Sequence, residues 1–230
     1  MTLLFRSLLF AGLLATSSAA LAQTPAAQPT ESKEAAYTRT ITERADKIVA
    51  KITDLKPAKA PKVRDIIVAQ YRDLNEIHEA RKTQLATLKA QNPDEAAKKA
   101  GTEKIEAETT AKLDALHPQF LRKLSRQLSS TQIDQVKDGL TYGVLPITVR
   151  AYNDMLPTLT EAQKTQILTW LTEAREKAMD AGSSEQKHAW FGKYKGKINN
   201  YLSAAGIDMK QAGKDWDARR QRAAADTQGQ

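Results

Sequence analysis

The chain is 230 residues long, contains no cysteine and carries a formal net charge of +8 at neutral pH. The lack of cysteine excludes disulfide bonds and thiolate-bound zinc, so stability must come from a hydrophobic core. A domain of about 200 residues can bury roughly 70% of its unfolded surface, which is enough for one sizeable core.

The first residues, MTLLFRSLLFAGLLATSSAALAQ, have the pattern of a secretory signal peptide. Arg6 supplies a positive charge, residues 8–14 form an apolar run too short to span a bilayer, and residues 20–22 form an A-x-A cleavage site. We expect residues 1–22 to be cleaved after Ala22, leaving a periplasmic or secreted protein with no membrane span. The remaining chain has 34 basic and 27 acidic residues, a net charge of +7. An exported protein rarely meets nucleic acid, so no nucleic-acid partner is predicted and anionic polysaccharide fits the charge better.

Two polar segments flank a region of helical periodicity. Residues 23–35 are predicted to form a disordered leader, and residues 218–230 a disordered tail. Residues 36–217 carry apolar residues at helical spacing and no alternating strand pattern, as in the run Ile41, Ala45, Ile48, Val49 and Ile52. We predict a single all-α domain, a helical bundle of about six or seven helices with a long N-terminal helical hairpin. Pro118 is expected to kink or split the third helix.

Two segments, LSSTQIDQVKDGL from Leu128 and LTEAQKTQILTWL from Leu159, share the pattern Leu-[Ser/Thr]-x-x-Gln. In each, the hydroxyl residue is a predicted N-cap, and the glutamine three positions later can complete a capping box. The same box recurs at Ser183. The pattern resembles the LTxxQ motif of periplasmic stress chaperones, cradle-shaped helical dimers with an apolar, partly basic concave surface. This resemblance implies a chaperone-like or scaffolding protein with unfolded protein clients.

A longer resemblance extends from about Thr40 to Asp215. The runs ERADKIV, YRDLNEIHEAR, VKDGLTYGVLPITVRAYNDMLPTLT and EAREKAMDAGSSEQKHAWFGKYKGKINNYLSAAG resemble an uncharacterised family of exported bacterial proteins, the domain of unknown function 3826 family. The resemblance implies a carbohydrate-associated function, because that family has been described as a sugar-binding candidate. It implies no catalytic residues, since none are agreed for the family.

The sequence contains no recognised catalytic motif. His78, His117 and His188 are far apart and none has the spacing of a metal site, so neither a metal nor a cofactor is predicted. His117, directly before a proline, is interpreted as a helix-break residue, and His78 as a solvated or salt-bridged one. Glu103 and Glu106 share a helix face, which favours a solvated charged face over paired catalytic acids.

An irregular connection is predicted in KDGLTYGVLPITVRAYNDMLP, where Gly139 and Gly143 should end the preceding helix. Tyr142 and Arg150 lie in this segment and are candidate ligand-binding residues, because such residues favour irregular connections on rigid scaffolds. The alternative is a helix–helix corner, with Tyr142 as a wedge and Arg150 paired with Asp154 one helical turn later.

The segment 187–205 has a core stripe and a basic outer face when placed on a helix at about 100° per residue. The stripe consists of Trp190, Phe191, Tyr194, Ile198, Tyr201 and Leu202. Gly192 and Gly196 lie in the helix interior at a spacing that predicts close approach of another helix.

The polar flank of this stripe is a candidate binding site. His188, Lys195 and Asn199 border the stripe where Trp190 and Tyr194 could expose an edge. An aromatic edge beside amide and cation donors suits a sugar, especially an acidic one, whose carboxylate could meet Lys195 and Arg150.

The sequence therefore predicts an exported, non-catalytic binding protein for an oligosaccharide or polysaccharide. A chaperone-like protein of the LTxxQ type is the alternative, and a glycan-active hydrolase or lyase is the third hypothesis. The hydrolase or lyase hypothesis requires a pocket with paired acids, or with a Tyr/Arg/Lys constellation, that sequence alone does not assemble.

Overall fold

A computed structural model describes residues 31–228, which form eight α-helices, one short 3₁₀ helix and no strand. The all-α bundle is confirmed, with eight helices in the described residues where six or seven were predicted. The helices are α1 (Lys33–Val49), α2 (Ala60–Ala90), α3 (Glu95–Ser125), α4 (Ser130–Leu140), α5 (Val144–Met155), α6 (Glu161–Met179), α7 (Ser184–Ala204) and α8 (Met209–Gln228). The 3₁₀ helix Pro57–Lys59 leads directly into α2.

The two polar end segments are partly helical in the structure. α1 begins at Lys33, inside the predicted leader, and α8 continues to Gln228, inside the predicted tail. The predicted signal peptide lies outside the described residues, and the domain boundaries stay predictions. Within residues 31–228, no helix combines the length and apolar character that a membrane crossing requires.

The long hairpin in the N-terminal half is formed by α2 and α3, each 31 residues long. The two helices run antiparallel, because Leu88 packs on Gly101 near the tip while Arg81 bonds to Glu106 further down. Pro118 lies inside α3 and does not split it. A proline removes one backbone hydrogen bond, and the rest of this long helix continues past the gap.

The apolar residues form two clusters that α6 connects. The first contains residues of α1, α2, α3 and α4, among them Ala45, Ile67, Phe120 and Leu124. It also includes Met179 from the end of α6. The second joins α5, α6 and α7 and contains Leu145, Tyr152, Leu156, Leu171, Phe191, Ile198 and Leu202. The end of α6 therefore lies where the two clusters meet.

Both predicted Leu-[Ser/Thr]-x-x-Gln capping boxes form, at Ser129 and at Thr160. The third differs, since Ser183 caps α7 but the Gln186 side chain accepts from the backbone N–H of Gly182 instead of closing the box. These contacts show that the repeated pattern starts helices.

The connection between α4 and α5 is a tight corner in left-handed backbone. Tyr142 has φ +59° and Gly143 has φ +67°. Gly139 does not end the helix as predicted, because it lies inside α4. A Cβ at Gly139 would be 2.9 Å from side-chain carbons of Ile48, so this glycine allows α4 to pack closely on α1.

Candidate ligand-binding site

A groove of about 550 Å³ lies between the α2–α3 hairpin and the turn that joins α6 to α7. Small-molecule sites in proteins typically occupy about 300–1,000 Å³. Four helices and the α6–α7 turn line the groove, with His78, Arg81, Glu106, Thr109, Thr110, Leu113, Asp114, Lys177, Asp180, Ala181, Gln186, Ala189, Trp190 and Lys193. The groove thus has the size of a ligand site and a mixed apolar and charged wall.

Trp190 is the large aromatic side chain in this wall. It is half-buried, because one side packs against the second apolar cluster while another faces the groove. The Lys193 ammonium lies 5.3 Å from the centre of its ring. A fixed indole of this kind offers a rigid apolar surface beside polar groups.

The hairpin side of the groove contains an ion pair between Arg81 of α2 and Glu106 of α3. Arg81 Nε donates to Glu106 Oε2 at 2.9 Å and to Oε1 at 3.1 Å. The hydrogen bond from Arg81 lowers the pKa of Glu106. A general acid for glycoside hydrolysis needs a raised pKa, so Glu106 is suited to holding the wall in place and not to acid catalysis.

Asp180, at the C-terminal end of α6, connects the groove to both helices of the hairpin. His117 Nδ1 lies 2.7 Å from Asp180 Oδ2, and His117 Nε2 lies 3.2 Å from Glu176 Oε2. The hydrogen bond to Asp180, followed by the one to Glu176, raises the pKa of His117 to about 9. His78 Nε2 donates to the backbone carbonyl of Asp180 at 2.8 Å, since a carbonyl oxygen can only accept. The α6–α7 turn is therefore fixed to α2 and α3 by two histidines.

The second carboxylate oxygen of Asp180 is not satisfied by the protein. Oδ1 is buried and has no hydrogen-bond partner within the described residues. Buried polar atoms in folded proteins are nearly always paired, and an unpaired one costs about 1–3 kcal/mol. The groove wall at Asp180 therefore carries an unfavourable feature that packing alone does not explain.

A buried arginine lies behind the groove. Arg175 of α6 is only 7% exposed and donates to Asp134 Oδ1 at 2.6 Å and to Asp138 Oδ1 at 2.9 Å, both on α4. Burial alone lowers the pKa of this guanidinium, but the two aspartates outweigh burial and raise it. This ion pairing stabilises the contact of α6 with α4.

Glu176, the next residue, takes part in the same network from the other side. Lys137 Nζ lies 2.9 Å from Glu176 Oε2. Burial alone raises the pKa of Glu176, but hydrogen bonds from His117 and Lys137 outweigh it and lower the pKa to about 2. Glu176 is therefore ionised at neutral pH, and its contacts hold α3, α4 and α6 together.

Lys187 of α7 is buried, with 7% of its surface exposed. Its ammonium donates to the carbonyl oxygens of Ala178 at 3.1 Å and Met179 at 3.0 Å in the last turn of α6, where carbonyl oxygens have no helical N–H partner four residues later. Burial lowers the pKa of Lys187 to about 8. This lysine therefore caps the C-terminal end of α6.

A sequence model described as protein of unknown function DUF3826 matches residues 38–223. The chain belongs to the DUF3826 family. This confirms the resemblance that the four sequence runs indicated. A comparison with curated proteins found no match. The description of the matching model names no ligand or activity. A function for this DUF3826 protein is therefore inferred from the geometry of the groove.

The seven candidate ligand-binding residues of this DUF3826 chain do not form one cluster. They are distributed around α7 and α5, as follows: Tyr142, Arg150, His188, Trp190, Tyr194, Lys195 and Asn199. Trp190 is the one that lines the groove.

Four of the other candidates lie where α7 meets α5 and the α4–α5 corner. They are Tyr142, His188, Lys195 and Asn199. The Tyr142 ring stacks on the His188 ring at a centroid distance of 5.5 Å. Asn199 Oδ1 accepts a 2.7 Å hydrogen bond from the buried Tyr152 hydroxyl, which also lies 3.4 Å from the Lys195 carbonyl. Asn199 is therefore already engaged in joining α7 to α5.

Arg150 and the Lys195 side chain are exposed, and neither lines the groove. Tyr194 is half-buried and faces α6. Lys197, also on α7, places its Nζ 5.8 Å from the Tyr194 ring and 4.4 Å from the ring of Trp170 on α6. Trp190 and Tyr194 thus belong to different surroundings, although both lie on the predicted stripe.

The two glycines of α7 do not mark a close helix contact, contrary to the prediction. A Cβ at Gly192 or at Gly196 would meet no atom within 4 Å. Both glycines face open space in the part of the chain that the structure describes. The close approach occurs instead at Gly182, where a Cβ would be 2.7 Å from the His78 ring.

Sequence reasoning missed most of the groove. His117 is not a helix-break residue, because it lies inside α3 and bonds to two carboxylates. Arg81, Glu106, Lys177 and Asp180 received no binding role. The family runs YRDLNEIHEAR and EAREKAMDAG contain three of these four residues and were the available signal. Among residues 31–228, no cluster of three or more His, Asp or Glu could hold a metal ion.

Proposed function

We propose that this protein is an exported, non-catalytic binding protein that holds an oligosaccharide in the groove between the α2–α3 hairpin and α7. The observation that supports it is the position of Trp190, a half-buried indole in a charged groove of about 550 Å³. Sugar rings have apolar faces and polar edges, so they pack on an indole while their hydroxyls bond to surrounding polar groups.

The remaining wall supplies hydrogen-bonding partners of both kinds. Thr110, Asp114 and Gln186 are exposed in the groove. A carboxylate accepts from sugar hydroxyls, and an amide or hydroxyl both donates and accepts. A ligand with many hydroxyl groups matches this wall better than an apolar one.

The charged groups favour binding over catalysis. The pKa of Glu106 and the pKa of Glu176 are both lowered by neighbouring cations, whereas a catalytic acid needs a raised pKa. The hydrolase hypothesis therefore has less support than binding. Incubating the protein with each bound glycan and measuring new reducing ends or unsaturated products tests it directly.

The chaperone-like alternative has less support, because the repeated glutamines cap helices or bond to neighbouring loops. Gln132 caps α4 and also donates to the Thr53 carbonyl. The alternative expects suppression of client aggregation at substoichiometric dose.

Export predicts that the protein recovered from cells begins at Gln23, which mass spectrometry of the intact chain measures.

The test of glycan binding is a thermal-shift screen of the protein against neutral and acidic oligosaccharides. A ligand at 100 times its dissociation constant adds about 2.7 kcal/mol to stability, which appears as a raised melting temperature. Trp190→Ala should abolish the shift. Trp216→Ala is the matched control, because Trp216 lies on α8 and does not line the groove.

A shift with one glycan class that depends on Trp190 supports the proposal. The proposal fails if no glycan in the panel shifts the wild type. It also fails if the shift survives Trp190→Ala.

A further inference from the structure

The charged side chains of the groove are not all paired. Glu106 neutralises Arg81, and Asp180 is paired with the protonated ring of His117. Lys177, Lys193 and Asp114 remain, and none of these three has an ion-pair partner within residues 31–228. The unpaired charges are therefore two ammonium groups and one carboxylate.

The two unpaired ammonium groups come from different helices, Lys177 from α6 and Lys193 from α7, and both side chains are exposed. The Lys193 ammonium lies 5.3 Å from the centre of the Trp190 ring. Because this ammonium lies over the face of the ring, a sugar that packs on the indole has a cation close by.

A neutral sugar would leave the groove with an excess positive charge, because it has two unpaired ammonium groups and one unpaired carboxylate. A carboxylate on the sugar ring would meet them through charge-assisted hydrogen bonds, which are roughly twice as strong as neutral ones. Asp114 can only accept, so it suits the hydroxyls that every sugar carries.

We propose that the groove binds uronate-containing oligosaccharides, with Lys177 and Lys193 receiving the carboxylate while Trp190 supports the ring. This rests on the proposed function and names the ligand class of the same site. It differs from the site predicted on the other face of α7, where Lys195 and Arg150 were the expected carboxylate partners.

The test uses trimers of galacturonate, mannuronate and glucuronate, each paired with its methyl ester. Esterification removes the charge and keeps the ring and the hydroxyls. By titration calorimetry at low salt, at least one acid trimer should bind about tenfold more tightly than its ester. Raising the ionic strength should weaken binding of the acid and leave binding of the ester nearly unchanged.

Variants locate the effect. Lys177→Ala and Lys193→Ala should each weaken the acid about tenfold and the ester less than about twofold. Lys195→Ala is the matched control, because Lys195 is an exposed lysine of the same helix that does not line the groove. It should bind the acid as the wild type does.

The outcomes separate this inference from the proposed function. If acid and ester bind equally and still depend on Trp190, the uronate assignment is overturned while glycan binding stands. If Lys195→Ala weakens the acid more than Lys193→Ala, recognition belongs to the other face of α7 and the inference is overturned. If a sulfated neutral trimer binds as well as the acid, the site selects anionic charge and the uronate assignment is again overturned. If no glycan binds, the proposed function fails with it.

Discussion

Replacing His117 with glutamine should remove a pH-dependent part of the protein's stability. His117 bridges Asp180 and Glu176, and these hydrogen bonds raise its pKa from 6.5 to about 9. A difference of that size between folded and unfolded chains corresponds to about 3 kcal/mol at pH values below 6.5. This is an upper figure, because the ring is still 20% exposed to screening solvent.

The sign follows from proton binding. Between pH 6.5 and about 9, the folded chain keeps a proton on His117 that the unfolded chain has released. The stabilisation is therefore complete below pH 6.5 and is lost as pH rises towards 9. Glutamine cannot titrate, so His117→Gln should lack this loss.

The assay is urea unfolding of wild type and His117→Gln from pH 6 to pH 10, read as the difference in free energy of unfolding. Lys187 titrates in an overlapping range with the opposite sign, since burial lowers its pKa to about 8 from 10.5 and stability then rises with pH. It is present in both proteins and largely cancels in the difference. His188→Gln is the matched control, because His188 is exposed and has no carboxylate partner within residues 31–228. A difference between wild type and His117→Gln that stays constant across the range would refute the reasoning.

Further substitutions at four positions test the glycine contacts and one helix cap, each by urea unfolding at pH 7. Gly182→Ala should destabilise by about 1–3 kcal/mol, because its Cβ would lie 2.7 Å from a His78 ring that is fixed by hydrogen bonding; wild-type stability would contradict the close contact. Gly192→Ala and Gly196→Ala should each stabilise by about 0.5–1 kcal/mol, because both sites are open and helical; a loss would mean that the glycines are needed for packing. Thr160→Ala should cost about 1 kcal/mol through the lost cap of α6, and Thr160→Ser should restore most of it.

The fold was largely predictable, because its signals are local in the sequence. Helical spacing identified Ile41, Ala45 and Ile48 of α1, and all three are buried. The capping pattern identified the starts of α4 and α6 to the residue. The error in helix number has the same origin, since polar α8 buries none of residues 209–225 completely and so lacks a strong apolar stripe.

The glycine errors show where local rules stop. A glycine in a helix interior predicts a nearby helix, yet Gly192 and Gly196 face open space while Gly139 and Gly182 make the close contacts. The helix propensity of glycine cannot distinguish these cases, because its free-energy penalty is the same whether or not another element packs nearby.

The groove was not predictable, because it depends on where helices end and not on their periodicity. Trp190 and Tyr194 are one turn apart on the same stripe of α7, and the sequence treats them alike. Tyr194 faces the middle of α6, whereas Trp190 lies close to the turn after Met179, where α6 has ended and residues of α3 take its place. The end of α6 also places carbonyl oxygens within reach of Lys187. It brings Asp180 to His78 and His117, which are 39 residues apart in sequence. A ligand site of this kind depends on contacts between distant segments, which helical periodicity and capping motifs do not encode.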